Sequence, residues 1–72
     1  MSISIPKNKR DDIRVRLRDF KGERYVDVRV FFLADSGTMK PSGKGVAVRV
    51  DLADALADAI RQVAAQERVD DD

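Results

Sequence analysis

From Ile13 the chain alternates without a break: Ile13, Val15 and Leu17 are apolar, and Arg14, Arg16 and Arg18 between them are cationic. A period of two marks a β-strand with one apolar and one polar face, and it argues against a helix over the same residues. The pattern resumes after Lys21-Gly22, where Val26, Val28, Val30 and Phe32 hold one parity and Tyr25, Asp27, Arg29 and Phe31 the other. Glycine supplies the positive φ of a tight hairpin, so strands at about 13–20 and 23–33 are expected to pair. The second strand carries aromatics at both parities, which leaves one face for a core and the other for a partner, protein or ligand.

Downstream, Ala34 to Gly37 reads as a turn and residues 38–41 as a short third strand limited by Pro41. Ser42-Gly43 reads as the tip of a second hairpin leading to a fourth strand at about 44–50, with Lys40 and Lys44 flanking that tip. Cations there can grip a phosphate, although lysines in turns are commonly just solvated. Asp51 is the expected N-cap of a helix at about 52–67, whose Leu52, Leu56, Ile60 and Val63 form one apolar stripe. Residues 1–12, with Lys7, Lys9 and Arg10 and no sustained periodicity, read as a flexible basic arm, and 69–72 as an acidic tail. The expectation is one α+β domain over 13–68, in the order β-β-β-β-α.

A chain of 72 residues buries only about 60% of the surface its unfolded form exposes. It has no Cys and no His, so disulfides and thiolate or imidazole metal sites are excluded and no cofactor is expected. No spacing resembles a nucleophile-base pair, and no enzyme is expected. Stability is expected from self-association as a homodimer. Charged residues are 38% of the chain, and they are segregated: residues 1–50 carry 12 Lys/Arg against 6 Asp/Glu, and 51–72 carry 2 against 7. The basic part calls for an anionic partner. Nothing approaches the run of about 18 apolar residues that spans a membrane, so an intracellular protein is expected, in cytoplasm or nucleoid if prokaryotic and nucleus if eukaryotic. Arginines at alternate strand positions recur roughly every 6.8 Å, a spacing that can follow single-strand phosphates; a solvated outer face is the competing reading.

Three segments, RDFKG at 18–22, YVDVR at 25–29 and MKPSGKG at 39–45, together resemble the C-terminal single-strand-binding domain of the transcriptional coactivator positive cofactor four and its bacterial relatives. The similarity runs from about Ile13 to Val50. It implies a curved antiparallel sheet followed by a helix, dimerised to form adjacent channels for single-stranded DNA. Carried over by position, it implies that Arg18, Phe20 and Lys21 form one binding edge and that Arg29 contacts the backbone. It further implies that Phe32 takes an aromatic stacking position and that Lys40, Lys44 and Gly45 add contacts. Arg14 and Arg16 join this set by strand parity alone. By parity Phe32 also lies with Val26, Val28 and Val30, so a core role competes with stacking. Glu23 and Gly43 stand where basic residues are common in the family, and Phe32 replaces a larger indole. Without the Ser-rich acidic extension of the eukaryotic coactivator, a prokaryotic or phage-like single-domain member is expected.

The expected function is sequence-nonspecific binding of single-stranded DNA, with RNA and melted duplex left open, by a coactivator-like regulator in transcription, replication or repair. Transcription machinery is then a further partner. The alternative is a protein-interaction module that contacts a polymerase or regulator through Tyr25, Phe31 and the hairpins, its basic residues serving solubility.

Overall fold

The computed structural model describes residues 1–70. Four strands, β1 (Ser2–Pro6), β2 (Asp11–Phe20), β3 (Glu23–Leu33) and β4 (Met39–Arg49), form one antiparallel sheet in chain order. A 3₁₀ turn at Val50–Leu52 leads into helix α1 (Ala53–Ala64). This is the expected α+β class, reached by different strand boundaries at two places.

Ser2–Pro6, expected within a flexible arm, is β1, with Ile3 opposite Val15 and Ile5 opposite Ile13. Its alternation is too short to announce itself, and the edge of β2 supplies the template; Pro6 falls at the strand's last residue, where a missing N–H costs least. The expected third and fourth strands are one strand, β4. Ser42-Gly43 is not a hairpin tip: the ladder steps from Arg29 opposite Gly45 to Phe31 opposite Pro41, so residues 42–44 bulge against Val30. The true β3–β4 turn is Ala34–Thr38, closed by Ala34 N–H donating to the Thr38 carbonyl at 2.9 Å, with Gly37 at φ 83°.

Asp51 does not cap the helix; it lies inside the 3₁₀ turn, 3.7 Å from Arg49, and the capping position falls to Leu52 without a side-chain bond. The helix ends at Ala64, before the expected 67, where Ala65 N–H donates to the Arg61 and Gln62 carbonyls and Gln66 N–H to the Val63 carbonyl. Val69 and Asp70 belong to no regular element, and the rest of the expected tail, Asp71 and Asp72, lies outside the described residues.

The β2–β3 register, Leu17 opposite Val26 and Arg16 opposite Asp27, sorts the side chains. One face carries Ile3, Ile5, Ile13, Val15, Leu17, Val26, Val28, Val30, Phe32, Val46 and Val48. The other carries Arg14, Arg16, Arg18, Phe20, Tyr25, Asp27, Arg29 and Phe31. Among the described residues only Phe31 and Asp27 are buried, and both are on the charged face. The apolar face is uncovered, with Ile3 55% and Leu17 56% exposed, and no residue of α1 is buried. No helix among the described residues is long and apolar enough to cross a membrane.

The β2–β3 turn places Lys21 at φ 54° and Gly22 at φ 82°, the type I′ geometry that favours Asn-Gly. Lysine has a Cβ that disfavours this region. Lys21→Asn is therefore expected to stabilise the chain by about 0.5–1 kcal/mol, raising the midpoint of thermal unfolding by roughly 2–8 °C in a circular-dichroism melt.

Candidate nucleic-acid interface

On the charged face the side chains organise around one carboxylate. Asp27, 4% exposed, accepts from Arg16 at 2.9 Å and from Nε and a terminal nitrogen of Arg29 at 2.9–3.2 Å. Arg29 uses its other terminal nitrogen on the Ser42 carbonyl at 3.1 Å, and Ser42 Oγ donates to the Val30 carbonyl at 2.8 Å. The guanidinium thus ties the centre of β3 to the β4 bulge. The Arg29 hydrogen bonds, opposed by burial and reinforced by Arg16, hold the Asp27 carboxyl below its ordinary range; the same contact raises Arg29.

Phe31 forms a second layer. The guanidinium carbons of Arg14 and Arg16 lie 4.5 and 4.8 Å from its ring centroid, within cation–π range. Arg14 also lies 3.6 Å from Asp12. Arg14 and Arg16 are therefore engaged with the protein's own ring and carboxylates, not freely extended as alternation alone implies. Phe31 is covered by them and unavailable to a partner.

Toward the β2–β3 turn the face opens into a groove of about 340 Å³ lined by Arg18, Phe20, Tyr25, Asp27, Arg29 and Ala47, among others. Phe20 is 61% exposed, and the Lys21 ammonium sits 5.3 Å from its ring centroid. Arg18 and Lys21 make no ion pair among the described residues. An exposed ring, a phenol and cations around an open groove are the components that stack bases and neutralise phosphates.

The expected site residues do not all meet here. Arg14, Arg16, Arg18, Phe20 and Arg29 share the face, with Lys21 at its edge. Phe32 and Lys40, cross-strand partners, lie on the opposite face near the other end of the ladder. Lys44 sits in the bulge, where its N–H donates to Ser42 Oγ at 3.0 Å. Gly45 has a backbone reason to be glycine: a Cβ there would collide with the Val28 carbonyl and lie 2.8 Å from Arg29 Cα.

A family model described as Transcriptional Coactivator p15 (PC4) matches residues 7–59. The chain belongs to the PC4 family. Among solved structures it is similar to a PC4 homolog from Burkholderia pseudomallei, with 25% identity over 89% of this chain and 86% of that one and a TM-score of 0.83. It shares the fold of the bacteriophage T5 homolog of PC4, at 22% identity, 88% and 74% coverage and a TM-score of 0.73. MoSub1, solved in complex with single-stranded DNA, is 28% identical over 89% of this chain and 74% of that one, with a TM-score of 0.60. Among curated proteins no relative is found.

Sequence reasoning missed Asp27, Ser42 and the groove position of Tyr25. Asp27 had a signal: a two-residue turn at Lys21-Gly22 fixes Phe20 opposite Glu23, and counting back places Arg16 opposite Asp27. Ser42 had none, because its role depends on the bulge.

Asp27→Asn keeps the shape but leaves two guanidiniums without their counter-charge. It is expected to destabilise the fold by about 1–2 kcal/mol, the outer ends of both arginines being open to solvent. Because the folded-state value of Asp27 is depressed, its contribution is complete above the unfolded value and is lost as pH falls through the folded one. Urea melts at several pH values should show the gap between wild type and variant constant at neutral pH and closing below about pH 4.

Proposed function

We propose that the protein binds single-stranded DNA without sequence preference and acts as a homodimer. The observation that carries this is the groove bounded by Arg18, Phe20, Tyr25 and Arg29, with Lys21 over the Phe20 ring. Aromatic faces accept any base and the cations meet the phosphates, so affinity arises without reading base edges. Membership in the PC4 family and the likeness to MoSub1, a protein captured with single-stranded DNA, support the same ligand. In this reading Arg18, Phe20, Lys21 and Tyr25 make direct contacts. Arg29 is held by Asp27 and Ser42 with its outer edge toward the groove, and Arg14 and Arg16 chiefly shape the face. The protein acts inside the cell as a regulator of melted DNA in transcription, replication or repair, binding without turnover, with transcription machinery as a further partner.

The apolar face supports the dimer. Leu17, Val46, Ile60 and Val63 are each about half exposed or more, and no residue of α1 is buried. A second copy seated on α1 and on the Leu17 and Val46 part of this face buries what one chain cannot, and leaves the Phe32 end of the sheet open. The interaction-module alternative loses one of its contacts, since Phe31 is buried beneath Arg14 and Arg16.

Fluorescence-anisotropy titration of equal-length single-stranded and duplex DNA over a range of salt tests the ligand. Preference for the single strand is expected, with log affinity falling by about 0.7 per log salt for each phosphate neutralised. Phe20→Ala should weaken binding by about 1–3 kcal/mol with an unchanged melt. Equal or absent binding to both DNAs, or an unaffected Phe20→Ala variant, would overturn the reading. An RNA arm of the same length identifies whether the sugar matters. Light scattering at micromolar concentration should give twice the chain mass.

A further inference from the structure

The expected contact residues fall into two groups, and the second is incomplete without a segment to which no role has been assigned. Phe32, 39% exposed, and Leu33, 43% exposed, stand at the end of the sheet opposite the Lys21 turn. Ten residues of β2 separate the two ends by roughly 30 Å. On one side Phe32 and Leu33 line a depression with Lys40 and Asp35 in the β3–β4 turn region. On the other they line an open groove of about 590 Å³ with Asn8, Lys9, Arg10 and Asp11.

The β1–β2 turn at this groove is built, not frayed. Asn8 Oδ1 accepts from the N–H groups of Arg10 and Asp11, each at 2.9 Å. The N–H groups of Lys7 and Asn8 donate to the Asp11 carbonyl at 3.0 and 3.2 Å. Such an Asn-centred turn fixes the backbone and leaves the Lys7, Lys9 and Arg10 side chains outside it. These cations and Lys40 make no ion pair among the described residues, in contrast to Arg14, Arg16 and Arg29. The nearby acids are partly occupied: Asp12 lies 3.6 Å from Arg14, and Asp11 accepts weakly from Asn8 Nδ2 at 3.4 Å.

We infer that the β1–β2 turn is a second phosphate-binding locus for a single nucleic-acid strand. Lys9 and Arg10 meet the backbone on one side of Phe32 and Lys40 on the other, while the ring stacks on a base. The inference rests on the single-strand reading proposed above. It gives the otherwise isolated Phe32 and Lys40 their neighbours. Unpaired cations flanking an exposed ring are the same components that line the first groove.

The test is a salt series of anisotropy titrations with a labelled oligothymidylate of about 20 nucleotides, longer than a typical domain's site. Wild type is compared with Lys9→Gln/Arg10→Gln, which leaves Asn8 and its turn in place. A control, Arg61→Gln/Arg68→Gln, removes the same charge from residues that do not line the groove. The expected result is a salt slope shallower by about 1.4 and affinity about 10- to 30-fold lower near 0.1 M salt for the turn variant, with the control close to wild type. An unchanged turn variant, or equal losses in turn and control variants, would overturn the second locus while leaving the first groove standing. A wild type that fails to bind the oligonucleotide at all would overturn both readings.

Discussion

With both central residues at positive φ, the Lys21-Gly22 turn closes the β2–β3 ladder at Phe20 opposite Glu23. Side chains alternate between faces, so a slip by one residue would exchange them. The rest of the molecule depends on this register. It brings Asp27 across from Arg16, sets Phe31 diagonal to Arg14, and aligns Leu17 with Val26 on the far side. A charged face and an apolar face then follow from one turn, without a separate device for each.

The charged face is tightly bound to itself at its centre and open at its ends. Asp27 neutralises part of the charge of Arg16 and Arg29, and Arg14 and Arg16 lie over the Phe31 ring, so the middle of the sheet is a scaffold of mutually engaged groups, although Nε of Arg14 and of Arg16 has no hydrogen-bond partner among the described residues. Among the described residues Arg18, Lys21, Lys9 and Arg10 form no ion pair and lie toward the two ends of the sheet, as does Lys40 on the opposite face. A uniformly free row of arginines would repel itself and hold no geometry. Anchoring the central ones fixes the shape on which the peripheral ones are presented. The apolar face obeys the opposite logic, since among the described residues none of its side chains is buried.

How much of this the residues announce depends on whether a pattern is local. β2, β3 and their turn are readable because the period of two persists for six residues in β2 and eight in β3 and a glycine marks the junction. The apolar stripe of α1 is readable for the same reason, although its start is not: the chain turns at Val50, and Asp51 is drawn toward Arg49 instead of the helix. β1 is hidden because five residues ending in proline look like any terminus until an edge strand pairs with them. The face assignment of Phe32 was available from parity and stood against its position in the family motif; parity prevails. The Phe31 platform was not available, because a buried aromatic on an arginine face is recognised only when the guanidiniums are seen to cover it.

The β4 bulge shows why a motif and a structural element need not coincide. The segment MKPSGKG looks like a hairpin because proline and glycine punctuate it, yet β4 continues through it. The bulge adds two residues, an even number, so Ala47 and Pro41 remain on the same side and the faces are preserved across it. An odd insertion would have turned Lys40 onto the charged face. Gly45 is required where β4 rejoins, because the backbone approaches Val28 and Arg29 too closely for a Cβ. Ser42 satisfies the Val30 carbonyl that the bulge strips of its ladder partner, and the Ser42 carbonyl in turn receives Arg29. The glycine of the Lys-Gly pair is thus first a requirement of strand geometry. Lys44 is displayed from the bulge because Gly45 lets the strand close beneath it.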